Sequence, residues 1–84
     1  MYEVFLESRA ERDLRRFPAP AFARIIQAVQ ALARNPRPPG CRKIVGSQHD
    51  WRIRIGDYRV IYEIVEKEEA VRVMRIRHRK EAYR

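Results

Sequence analysis

The sequence predicts an α+β domain, an antiparallel β-sheet with a helical pair packed on one face. Three observations carry this. The stretch Trp51-Arg-Ile-Arg-Ile-Gly-Asp-Tyr-Arg-Val-Ile-Tyr62 alternates apolar and charged residues around a tight-turn dipeptide, as a β-hairpin does. Before it, residues 8–33 carry apolar side chains at helical spacing, interrupted by Phe17-Pro-Ala-Pro20. After it, Val71 to Arg77 reads as a strand. Two helices followed by a meander give the order β-α-α-β-β-β, with the helical pair as the cover of the sheet.

Taken in order, Tyr2 to Leu6 is a short strand with Tyr2, Val4 and Leu6 on one face. Ser8-x-x-Glu11 has the form of a capping box, so the first helix is expected to begin after Ser8, with Ala10, Leu14 and Phe17 as its apolar stripe. Pro18 and Pro20 separate it from a second helix. There Phe22, Ile25, Ile26, Val29, Leu32 and Ala33 form the core-facing stripe until Asn35-Pro36 ends it. Lys43 to Gly46 is a candidate edge segment.

In the hairpin, Gly56-Asp57 fits a two-residue turn, which fixes the register as Ile55 opposite Tyr58, Arg54 opposite Arg59, Ile53 opposite Val60, Arg52 opposite Ile61 and Trp51 opposite Tyr62. One face then holds Trp51, Ile53, Ile55, Tyr58, Val60 and Tyr62, a core wall. The other holds Arg52, Arg54 and Arg59. Like charges directly opposite each other are destabilising, so the arginines either lie solvated over Ile61 or await an anion. In the last strand, simple alternation puts Val71 and Val73 on one face and Met74 and Ile76 on the other, as in a central strand.

Eighty-four residues are expected to form a single domain spanning 1–84. The formal charge is +8, and of the 19 basic residues 16 are arginine, a balance that points to a polyanionic partner such as nucleic acid. The segment 70–84 alone carries six basic residues against one acid. The single Cys41 excludes an intramolecular disulfide. The N-terminus lacks the apolar core of a signal peptide, and no run reaches the length of a membrane span, so a cytoplasmic location without membrane contact is expected. The two histidines, one cysteine and scattered acids lack ligand spacing, so no metal or other cofactor is expected.

The hairpin, the apolar strand after it and the tail His78-Arg-Lys-Glu-Ala-Tyr83 together resemble the RelE/ParE superfamily, the toxins of bacterial toxin–antitoxin pairs, and most closely its RelE-like messenger RNA interferases. The resemblance covers nearly the whole chain. It implies a RelE-like fold and a metal-independent endoribonuclease that cuts mRNA on the ribosome through attack of a ribose 2′-OH on the adjacent phosphate. It also implies a cognate antitoxin, RelB-like or other. By its pattern the catalytic positions are Arg52, Arg54, Arg59, Arg79 and Tyr83, with Lys43, Arg77, His78 and Lys80 as RNA-binding positions. Guanidinium groups supply charge around the phosphorane. Relatives commonly carry lysine where this chain has Arg52 and Arg54. Arginine does not deprotonate, which leaves proton transfer to Tyr83 or His78. Two other readings stay open: a ParE-like inhibitor of DNA gyrase, and a basic nucleic-acid-binding module without catalysis.

Overall fold

The computed structural model describes residues 1–47 and 49–80. The chain runs β1 (Glu3–Leu6), α1 (Ser8–Arg15), α2 (Ala19–Ala31), β2 (Arg42–Lys43), β3 (Asp50–Ile55), β4 (Tyr58–Val65), a 3₁₀ turn (Glu66–Glu68) and β5 (Ala70–His78). The five strands lie in the order β1-β5-β4-β3-β2. The α+β class and the position of β5 inside the sheet agree with the sequence. The sheet is mixed, however, not antiparallel throughout: β1 runs parallel to β5, from Glu3 opposite Ala70 to Leu6 opposite Val73. A parallel pair needs a long connection, and here everything from α1 to β4 supplies it.

The hairpin has the expected register at all five pairs from Ile55–Tyr58 to Trp51–Tyr62. Gly56 has φ +59° and Asp57 does not share a positive φ, the pattern of a type II′ turn, whose hand matches the twist of the flanking strands. Ile53, Val60 and Tyr62 are buried, while Trp51, Ile55 and Tyr58 pack at the border of the core. Against this wall lie Ala10 and Leu14 of α1 and Ile25, Val29 and Leu32 around α2, with Ile64, Val71, Val73 and Ile76 completing the core. Tyr62 is fully buried and its hydroxyl donates to the Pro36 carbonyl at 2.7 Å, which ties the loop after α2 to the sheet. Burial pushes its phenol well above the ordinary tyrosine range.

Four local expectations change. The capping box does not form: Glu7 is the N-cap and Ser8 is already helical. The Glu7 N–H donates to the Val73 carbonyl at 2.9 Å, so the chain stays on the sheet one residue longer than the motif implies. Phe22, first in the predicted stripe of α2, is 41% exposed; the buried residues of that stripe begin at Ile25. Helix α2 ends at Ala31, and the next residues turn more tightly, Leu32, Ala33 and Arg34 each donating to the carbonyl three residues back.

The fourth change positions the site. β5 does not alternate simply. Tyr62 pairs with Val73, but Ile61 pairs with Arg75, so Met74 is an extra residue, a β-bulge. From there the phase inverts. Ile76 joins Val71 and Val73 in the core, opposite Val60, and is fully buried, whereas alternation had assigned it to the outer face. Arg77, opposite Arg59, faces outward.

Candidate nucleic-acid interface

The helices cover one face of the sheet. The other face carries arginines in rows set by the register. Arg54, Arg59 and Arg77 lie directly across from one another on β3, β4 and β5. Arg42 of β2 lies opposite Arg52, which pairs in turn with Ile61. Neighbouring strands are about 4.8 Å apart, so the pairs Arg54–Arg59, Arg59–Arg77 and Arg42–Arg52 set like charges directly opposite each other, an arrangement destabilising in itself. The other end of the same face carries acids: Asp50 pairs with Glu63 and Glu63 with Arg72, and Arg72 lies 3.7 Å from both Glu7 and Glu68. The face is therefore polarised, with its excess positive charge toward the hairpin turn.

Two shallow concavities meet at Arg54. One, of about 240 Å³, is lined by Arg54, Gly56, Asp57, Tyr58, Arg59 and Arg79. The other, of about 530 Å³, is lined by Pro39, Gly40, Arg42, Arg52, Ile53 and Arg54. Arg79 follows directly on β5 and is held at the rim by the hairpin turn. Its N–H donates to the Asp57 carbonyl at 2.6 Å, and its guanidinium lies 3.9 Å from the Asp57 carboxylate. Both groups of that ion pair are mostly exposed, so the pair is loose and exchangeable for a stronger anion. A guanidinium presents a planar fork of donors matched to phosphate oxygens. Three arginines, Arg54, Arg59 and Arg79, line the smaller hollow.

The structure brings Arg52, Arg54, Arg59 and Arg77 together on the outer face, with Arg79 at its rim. It separates others. Lys43 pairs with Trp51, whose face is the helical side, so its side chain starts from the side away from the arginines. His78 pairs with Tyr58 on that same side, because the bulge inverts the phase of β5. Its ring meets Tyr58 edge-on at 5.2 Å, Tyr58 in turn contacts Phe17 at 4.5 Å, and Nδ1 accepts the Lys80 N–H at 3.2 Å. The proton-transfer and RNA-binding expectations for His78 thus meet a residue turned away from Arg59. Lys80 is exposed in the turn after β5. Tyr83 lies outside the described residues. Among those described, no three His, Cys, Asp or Glu side chains gather in a way that would hold a metal ion, and no helix is long and apolar enough to cross a membrane.

Three residues escaped the sequence reading. Arg42 joins the face because β2 begins one residue before the expected edge segment. Asp57 signalled only a turn. Asp13 stands three residues after Ala10, on the apolar stripe of α1, and an acid in that position was the available signal. It is 6% exposed and binds Arg75 through both carboxylate oxygens, at 2.9 and 3.3 Å.

Comparison with known proteins agrees with this architecture. The sequence profile of the family described as ParE toxin of type II toxin-antitoxin system, parDE, matches residues 4–83. The chain is similar to a RelE–RelB complex from Pyrococcus horikoshii, at 25% identity and a TM-score of 0.83, covering 93% of this chain and 94% of the other. It is also similar to the toxin–antitoxin complex RelBE2 from Mycobacterium tuberculosis, at 26% identity and a TM-score of 0.83, covering 93% and 98%. The isolated RelE toxin of E. coli, 18% identical, shares the fold with a TM-score of 0.81 over 93% and 84% of the two chains. With the profile spanning almost the whole sequence, the chain belongs to the RelE/ParE superfamily of type II toxin–antitoxin toxins, and its fold is RelE-like.

Proposed function

We propose that this toxin is a ribosome-dependent endoribonuclease that cleaves mRNA at the hollow lined by Arg54, Arg59 and Arg79. The observation that carries the reading is that these three arginines line one concavity of about 240 Å³, at the basic end of a polarised sheet face. In the reaction the 2′-OH loses its proton, O2′ attacks the adjacent phosphorus, and the P–O5′ bond breaks as O5′ takes up a proton. The products are a 2′,3′-cyclic phosphate and a 5′-OH. Arg59, in the middle of the arginine row, clamps the phosphate. Arg54 reaches both hollows and spans the scissile and neighbouring phosphates, with Arg52, Arg42 and Arg77 along the backbone. Arg79 exchanges Asp57 for the developing charge on the leaving side. Oriented charge of this kind stabilises the phosphorane without moving a proton. Arginine is no general base, so proton transfer falls to Tyr83 of the tail or to groups of the ribosomal site. His78, on the helical side, is left out of that role.

A cognate antitoxin, RelB-like or other, neutralises the chain in the cytoplasm. The similar proteins from P. horikoshii and M. tuberculosis, solved as complexes with antitoxins, support this. Incubation with programmed ribosomes and a labelled mRNA tests the activity, with cleavage expected in EDTA once ribosome integrity is secured. The profile match to ParE favours one second reading, inhibition of DNA gyrase. A supercoiling assay separates the two. Inactivity in both assays would leave a basic binding module.

A further inference from the structure

We infer that Asp13, a residue of the helical layer, is a positioning residue for the arginine face: it holds the end of β5 in the inverted phase that sets Arg77 beside Arg59. The inference rests on reading that face as an anion-binding surface. The phase of β5 changes at Met74, and the residues that follow have lost a neighbour. β1 ends at Leu6, opposite Val73, so beyond that point β5 has no strand on its β1 side. Helix α1 runs along this gap, and Asp13 fills it. Its Oδ2 accepts the Ile76 N–H at 2.8 Å and Arg75 Nε at 2.9 Å, and its Oδ1 accepts Arg75 Nη2 at 3.3 Å. One carboxylate therefore grips the two residues immediately after the bulge, through a backbone group of one and the side chain of the other. Arg77 comes next.

A buried ion pair is a weak source of net stability, since desolvation consumes most of the attraction. What Asp13 supplies is a fixed place for the strand end. With it removed, the Ile76 N–H is buried without an acceptor, and the strand end relieves that by loosening toward water. Arg77 then loses its fixed distance from Arg59, while Arg79 keeps its own tie to the Asp57 carbonyl. A role in stability alone predicts something different: Asp13 variants would melt earlier, and below that temperature the arginine face would be unchanged.

The test is the affinity of the full chain for a short fluorescein-labelled single-stranded RNA across a salt series, below the melting temperature of every variant. Each phosphate contact contributes about 0.7 to the salt slope on a single strand. Arg77→Ala is expected to lower the slope by about 0.7. Asp13→Ala should lower it as much, and the double variant no further, the non-additivity of two residues acting through one contact. Asp13→Asn keeps an oxygen for the Ile76 N–H and should restore the wild-type slope. Amide exchange at Arg77 and His78, measured without RNA, should accelerate in Asp13→Ala and not in Asp13→Asn. Trimethylamine N-oxide keeps a marginal variant folded in both experiments. An unchanged or higher slope in Asp13→Ala, with Arg77→Ala still lowering it, overturns the inference. If the wild-type chain does not bind the RNA, the anion-binding reading fails instead. Exchange then decides alone: a strand end still protected in Asp13→Ala overturns the positioning role, and a loosened one upholds it.

Discussion

Replacing Arg59 with alanine separates function from folding at the centre of the face. Arg59 lies between Arg54 and Arg77, so Arg59→Ala removes two direct like-charge pairs. Each such pair costs about 0.2–1 kcal/mol. Against that gain stand the lost packing of the stem and the lost hydrogen bonding of the guanidinium, a net ~0.5–1.5 kcal/mol for a typical bond. The opposing terms are of equal size, so stability should stay within about 1 kcal/mol of wild type, a melting shift of no more than roughly 4–8 °C for a domain of this length. Activity should fall much further. Loss of one preorganised donor to a developing oxyanion costs about 10²–10³ in rate, and Arg59 is the donor with neighbours on both sides. Thermal melting and single-turnover cleavage on programmed ribosomes, with growth on induction as the cellular readout, are measured on the same variant. A variant that is unfolded, or that cleaves and arrests growth like wild type, refutes the reasoning.

Other outcomes follow from the fold. Gly56→Ala places a side chain at φ +59° and should lower stability by about 1–2 kcal/mol; its Cβ would stand 3.3 Å from the Arg24 guanidinium, whose flexible end yields, so the backbone conformation dominates the loss seen by melting. Tyr62→Phe strands the Pro36 carbonyl and should cost about 1–3 kcal/mol. Because the Tyr62 phenol is held above its unfolded value of about 10, the stability it contributes is present below that pH and is lost as pH rises toward the folded value. Denaturant midpoints should therefore fall less in alkali for Tyr62→Phe than for wild type. At acid pH the sign reverses. Glu66 accepts from the Tyr2 hydroxyl and the Arg37 guanidinium, both at 2.6 Å, and these bonds, Tyr2 foremost, hold its carboxyl below the usual range. Its contribution is present above the unfolded value of about 4.3 and is lost as pH falls through the folded one. Tyr2→Phe should make that acid limb shallower in a urea titration.

What the sequence made legible was whatever local pattern and turn chemistry decide. A two-residue loop at Gly56-Asp57 leaves one register, so the pairing of Arg54 with Arg59 followed from counting. Ile25, Val29 and Leu32 lie on the stripe that helical period dictates. Long-range pairing was less accessible. Nothing local in Tyr2–Leu6 distinguishes a parallel from an antiparallel neighbour, and the capping box at Ser8 was outcompeted by a sheet hydrogen bond from Glu7. The bulge at Met74 is the most consequential difference. Strict alternation through Val71, Val73 and Ile76 cannot keep all three in one core, and the inserted residue resolves the conflict. That single residue decides that Arg77 faces the site and His78 does not. A hydrophobic residue out of phase in an inner strand was the visible sign of it, and Asp13 on an otherwise apolar stripe was the sign of what holds it.

Ribosomes programmed with an mRNA that carries a single 2′-deoxy nucleotide, at the site cut in the all-ribose message, test cleavage by 2′-OH attack at the arginine face. The prediction is that the all-ribose message yields a 2′,3′-cyclic or 3′-phosphate end in the presence of EDTA, and that the deoxy substitution abolishes cleavage there. Cleavage that persists at the deoxy position, or products with a 3′-OH and a 5′-phosphate, would contradict it.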